Sequence, residues 1–159
     1  MPDPRIIKIL LVEDDLEDEQ LLSEAFIEIE ENRQWCNWRS ASIVQVEHVT
    51  DAIDCLRRDI FDIVLLNLSL PDSPTLLDSF LGVHAIAHGV PIVVLADQAD
   101  ENLAHRLLRE GAQDVLVKPE LECPLLARSI RYAVERQRRV RPIMTGELRP
   151  QAKAAMLAD

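Results

Sequence analysis

The chain has 159 residues, of which 48% are hydrophobic and 28% charged, enough for one domain with its own core and too apolar for a disordered segment. No apolar run approaches the ~20 residues that span a bilayer, and the first residues lack the basic, apolar and small-residue order of a signal peptide. A cytoplasmic protein with no membrane contact is therefore expected. The net charge of −11 is unevenly spread, −16 over residues 1–127 and +5 over residues 128–159, so only the tail could attract nucleic acid and the acidic body opposes it.

In chain order, Ile6 to Val12 is a short apolar run ending in Glu13-Asp14-Asp15, the mark of a buried strand. Leu16 to Glu31 places Leu21, Leu22, Ala25, Phe26 and Ile29 at helical spacing, with acids on the other face. Asn32 to Ser42 reads as a polar loop carrying Trp35 and Trp38. Ile43 to Val49 alternates as a strand does, and Thr50 is the expected N-cap of a helix over Asp51–Arg58. Phe61 to Leu66 is a third apolar strand, followed by a loop with Pro71 and Pro74 and a helix over Leu76–His88.

After Gly89-Val90-Pro91, Ile92 to Leu95 forms a fourth strand. Asp100 to Glu110 fits a helix closed by Gly111. Asp114 to Val117 is a fifth strand, ended by Lys118-Pro119, and Leu125 to Arg139 a last amphipathic helix. Pro142, Gly146 and Pro150 mark a weakly structured tail, so residues 1–141 are expected to form the domain and 142–159 an extension. Cys36, Cys55 and Cys123 match neither a disulfide framework nor a metal motif. Their expected role, like that of four scattered histidines, is structural.

Five β-α repeats predict an α/β domain, a parallel sheet covered on both faces by helices. In such sheets the functional groups gather at the C-terminal strand ends. Here those are Glu13-Asp14-Asp15, Asn67, Ala96-Asp97 and Lys118-Pro119.

LLVEDD, FDIVLLNLSLPDS, PIVVLA and GAQDVLVKP, in that order and strand context, resemble the receiver domain of two-component response regulators, over roughly residues 5–139. The resemblance implies a flavodoxin-like, doubly wound sheet of strand order 2-1-3-4-5. It also implies an aspartate phosphoacceptor after the third strand, an acidic pair that holds Mg²⁺ with it, and a lysine that pairs with the phosphoryl oxygens. Phosphoryl transfer needs charge neutralisation and in-line positioning above all. Matched to the motifs, Asp14 and Asp15 are the expected acidic pair, the Ser69 carbonyl a main-chain metal ligand, and Lys118 the phosphate-pairing lysine.

Three positions depart from the pattern. Asn67 stands where the acceptor aspartate belongs, and an amide has no anionic oxygen with which to form an acyl phosphate. Ala96 stands at the switch hydroxyl and Val115 at the switch aromatic; Thr75 replaces a common loop glycine. The null role of Asn67 is a hydrogen-bonding one, donating to an Asp and accepting from Lys118. Metal binding is then weak, because Mg²⁺ dehydrates reluctantly and Lys118 can fill the pocket by pairing with an Asp.

The expectation is a non-enzymatic pseudo-receiver that acts by binding. Its partner would be a sensor histidine kinase, another signalling protein, or a second copy. The candidate dimer surface is the fourth helix, fifth strand and fifth helix, with Asp100, Glu101 and Glu110 facing Arg128, Arg131 and Arg136. Two rival readings are a receiver phosphorylated at or near Asn67 after deamidation, and nucleic-acid binding through the Arg-rich helix. A flavodoxin proper is disfavoured, because Glu13-Asp14-Asp15 is anionic where a phosphate cradle is needed.

Overall fold

The computed structural model describes residues 6–68 and 75–146, with side chains through residue 137. Five strands form one parallel sheet in the order β2-β1-β3-β4-β5, the expected flavodoxin-like α/β arrangement. The strands are β1 (Ile6–Val12), β2 (Ser40–Val46), β3 (Ile63–Asn67), β4 (Ile92–Ala96) and β5 (Asp114–Val117). The helices are α1 (Leu16–Glu31), α2 (Val49–Arg58), α3 (Leu76–Ile86), α4 (Glu101–Glu110) and α5 (Cys123–Gly146), with a single 3-10 turn at Lys118–Glu120.

The central strands carry apolar residues on both faces because both faces are covered. Ile7, Ile9, Leu11, Ile63, Leu65, Val93, Leu95 and Leu116 pack with Leu22, Phe26 and Ile29 of α1 and Leu126, Ile130 and Ala133 of α5. The alternate residues, Leu10, Val12, Val64, Leu66, Ile92 and Val94, pack with Val49 and Ala52 of α2, Phe80 and Val83 of α3, and Leu107 of α4. This parity sets which face each strand-end residue inherits. Glu13, Asn67 and Lys118 continue the α1/α5 series, whereas Ala96 and Val115 lie with the α2–α4 layer.

Several boundaries differ from the sequence reading. β2 begins at Ser40, three residues early, because residues 40–42 pair with Ile6–Lys8 of β1; that long-range register is invisible to local alternation. It ends at Val46, so α2 starts at Val49 with His48 at its N-cap and no side-chain cap bond, in place of the expected Thr50 cap. α5 runs on through Pro142 to Gly146. Proline's fixed φ is itself helical, so the ladder loses one bond there without ending.

The loop between α1 and β2 is less polar in practice than in composition. Trp38 is 2% exposed and belongs to the α1/α5 core. Arg33 donates to the Trp38 carbonyl at 2.9 Å, and Arg131 of α5 donates to the Trp35 carbonyl at 2.6 Å. The cysteines are free, with Cys36 buried.

Candidate functional site at the strand tips

The site is assembled by strand register. Val12 sits beside Val46 on one side and Leu66 on the other, and Asn67 beside Leu95. The next residue of each chain segment therefore emerges at one end of the sheet. Glu13 extends β1 by one position: its N–H donates to the Val46 carbonyl at 2.9 Å, and Gln45 Nε2 donates to its carbonyl at 2.6 Å. Its carboxylate is fully buried. Asn67, the last residue of β3, is 3% exposed. Just past it, the buried Ser79 hydroxyl donates to the Leu68 carbonyl at 2.9 Å, tying α3 to the strand exit.

Asn67 Nδ2 donates to Glu13 Oε2 at 3.0 Å and to Asp14 Oδ1 at 3.2 Å. An amide between two carboxylates must turn its protons to both, so this orientation is fixed by charge. Its Oδ1 is buried and finds no hydrogen-bond partner among the described residues. The expected bond from Lys118 to Asn67 is therefore replaced. Lys118 Nζ lies 3.0 Å from Glu13 Oε1, 2.8 Å from Asp18 Oδ2 and 3.2 Å from Asp97 Oδ1.

The electrostatics follow from this packing. Burial pushes the Glu13 carboxyl up from the ordinary range, and the hydrogen bond and charge of Lys118 only partly offset it. Burial alone would lower Lys118, but its hydrogen bonds to Asp18 and Glu13, with the charges of Glu13 and Asp97, hold it well above the usual lysine value. The ammonium is thus permanently charged at neutral pH.

Asp14 reaches Asn67 as expected, but its partner in the acidic pair is Glu13 and not Asp15. Asp15 is the N-cap of α1: its Oδ1 accepts from the N–H of Glu17 at 2.8 Å and of Asp18 at 3.2 Å. A short carboxylate immediately before a helix satisfies the orphan N–H groups of the first turn. Glu13 and Asp97 are strand-end residues that the motif match leaves out of the site, and Asp18 is the member that sequence reasoning missed. Parity along β1 would have revealed Glu13, and the first-turn position of Asp18, three residues after the cap, brings it back toward the strand tips. Ser69 lies outside the described residues, as do Pro71, Asp72 and Pro74. Thr75 caps α3, accepting from the Asp78 N–H at 3.0 Å.

Ala96 and Val115 are brought together on the opposite face. With Leu68, Leu103, Leu107 and Val117 they line a pocket of about 120 Å³.

The expected interface residues divide. Asp100 is the N-cap of α4, accepting from Leu103 N–H at 3.0 Å, and Glu110 faces Arg106 one turn earlier at 4.0 Å. Arg131 is spent on Trp35 and on the Tyr132 ring, 5.6 Å from its centroid. Glu101, Arg128 and Arg136 are exposed. Arg128 and Arg136 flank Tyr132 in a pocket shared with Gln113 and Asp114.

The fold and this strand-tip cluster define a receiver-type α/β domain. The chain belongs to the response regulator receiver domain family, which matches residues 9–129. Over 69 residues it is 41% identical to the regulatory protein LuxO of Vibrio vulnificus and 39% identical to that of Vibrio cholerae. The match covers 43% of this chain and 15% of each LuxO protein. Among solved structures, the receiver domain of a LuxO repressor protein from Vibrio parahaemolyticus superposes with a TM-score of 0.67 at 23% identity, covering 86% of this chain and 96% of that one. The receiver domain of the sensor histidine kinase PA1611 from Pseudomonas aeruginosa gives 0.65 at 21% identity, over 81% and 98%. That structure holds a magnesium ion in its active-site cleft.

The residues here do not fit such an ion as they stand. Magnesium takes hard oxygen ligands in near-octahedral geometry. Among the described residues no group of three or more His, Cys, Asp or Glu is arranged to hold a metal. The position that would supply a third anionic oxygen presents amide protons, and Glu13 has both oxygens engaged, by Lys118 and by Asn67 with the Asp15 N–H. No helix among the described residues is long and apolar enough to cross a membrane.

Proposed function

We propose that this is a two-component receiver domain that works without being phosphorylated, as a protein-interaction module. The observation that carries the reading is Asn67, buried at the tip of β3 with its amide held between Glu13 and Asp14. Acyl-phosphate formation needs a carboxylate oxygen there, and the amide nitrogen is engaged in two hydrogen bonds. The loss of the hydroxyl and the ring at Ala96 and Val115 agrees: the parts that would report a phosphoryl group are absent with the part that would accept it. The domain performs no chemistry in this reading, and its output is set by which partner binds and in which conformation.

The partner class is a sensor histidine kinase or another signalling protein. A second copy is the other candidate, through α4, β5 and α5, where exposed Glu101 on α4 and exposed Arg128 and Arg136 on α5 offer charges of opposite sign. Asp100 and Arg131 are better read as a helix cap and a loop tie than as interface residues.

The test is intact mass after incubation with Mg²⁺ and a small phosphodonor. The wild-type chain gains no phosphate, while Asn67→Asp/Ala96→Thr/Val115→Tyr, with acceptor and switch restored, gains one. Stable phosphate on the wild type would overturn the reading.

A further inference from the structure

We propose that the Lys118 ammonium is the resident cation of the strand-tip pocket, so that this domain neither needs nor takes up a divalent ion. The geometry carries the point. A single ammonium, 13% exposed at its side chain, lies within 3.2 Å of carboxylates from three separate segments: Glu13 after β1, Asp18 on α1 and Asp97 after β4. That is the work of a bound cation, to neutralise acids that would otherwise repel and to tie the loops that carry them.

The carboxylate of Glu13 is fully engaged, by the ammonium, the amide and a main-chain N–H. Glu13 Oε1 takes Lys118, and Glu13 Oε2 takes Asn67 Nδ2 at 3.0 Å and the Asp15 N–H at 3.2 Å. Asp14 Oδ1 takes the second amide proton, and Asp15 is turned away into the N-terminus of α1. An entering Mg²⁺ would have to strip these bonds, overcome the ammonium's repulsion and shed its own waters. At the tip of β3 it would gain only the neutral Asn67 Oδ1 and no carboxylate.

The experiment is an amide ¹H–¹⁵N NMR titration of the full chain with MgCl₂, against NaCl at matched ionic strength, and with MnCl₂ as a paramagnetic probe. For the wild type, the amides of residues 13–18, 67, 97 and 118 should show no saturable shift or broadening beyond the NaCl control. Lys118→Met, which leaves the acids uncompensated, should bind Mn²⁺ at least roughly tenfold tighter, in line with removing a unit charge a few ångströms away. Saturable low-millimolar binding by the wild type would overturn the proposal, and so would a folded Lys118→Met variant with no gain. If that variant does not fold, the wild-type Lys118 amine signal decides: slow proton exchange, unmoved by MgCl₂, supports the resident cation, and a freely exchanging or shifting signal overturns it. Magnesium uptake without phosphate incorporation would remove the resident cation yet leave the phosphorylation-independent reading, on which it rests, standing.

Discussion

Glu13 carries the site's electrostatic strain. Its carboxylate is fully buried, and its pKa is raised above 4.5 despite the ammonium beside it. A carboxyl with a raised folded pKa binds its proton more tightly folded than unfolded. Its effect on stability is absent below the ordinary value and grows unfavourable as pH rises through the folded pKa. The stability difference, wild type minus Glu13→Gln, should therefore fall as pH rises from about 4.5 toward neutrality. Urea unfolding at several pH values checks this, and a flat or rising difference contradicts it. Lys118, whose folded pKa is also raised, changes stability in the same direction but in a distant window. Its contribution is complete below the unfolded lysine value of about 10.4 and is lost only above it, so it stays constant across that experiment. Asn67 was legible in the sequence as a departure, because one residue type at one position decides the chemistry. Its bond to an aspartate was legible too, and Asp14 makes it; Glu13 as the second acceptor and the loss of the Lys118 bond were not, since they depend on which neighbouring side chain reaches first.

At the scale of elements, helix caps and turns decide which acids are free. The run Glu13-Asp14-Asp15 offers three carboxylates of similar chemistry, and the match to the receiver motif assigned the acidic pair to the last two. Backbone demand assigned it otherwise: α1 claims Asp15 for its orphan N–H groups, and the extension of β1 buries Glu13. Asp15→Ala should cost about 1 kcal/mol of stability as a lost N-cap, while leaving the amide signals of Asn67 and Lys118 in place. Those signals moving as far as they do in Asp14→Ala would contradict the assignment. A second element-scale test concerns Gly111, which closes α4 as expected. Its φ is +121°, and a Cβ there would lie 2.5 Å from Nε2 of His84, whose ring stacks on Phe80. Gly111→Ala should destabilise by about 1–3 kcal/mol, read by denaturant midpoint; a neutral change would show that α4 and α3 can part cheaply. The β2 shift has a different origin, since Ser40, Ala41 and Ser42 have weak strand character of their own and are strands only because β1 lies beside them.

For the whole molecule, the parallel sheet was legible because every central strand is apolar on both faces and every crossover is helical. Period and order suffice for that. The same alternation fixes a division of labour that is visible only once the layers are known. The polar cluster, Glu13, Asn67 and Lys118, lies on the α1/α5 side, and Ala96 and Val115, at the expected switch positions, on the α2–α4 side. Here the residues at the acceptor position on one side and at the switch positions on the other both depart from the pattern, and the proposed function follows from that: a surface whose shape no covalent event at β3 selects. The measurement that tests this most directly is peptide-resolved mass spectrometry of the protein recovered from its own cells, under conditions that preserve acyl phosphates. The expected result is an unmodified asparagine at position 67 and no phosphate on the β3 peptide. A phosphorylated aspartyl residue at that position would contradict it.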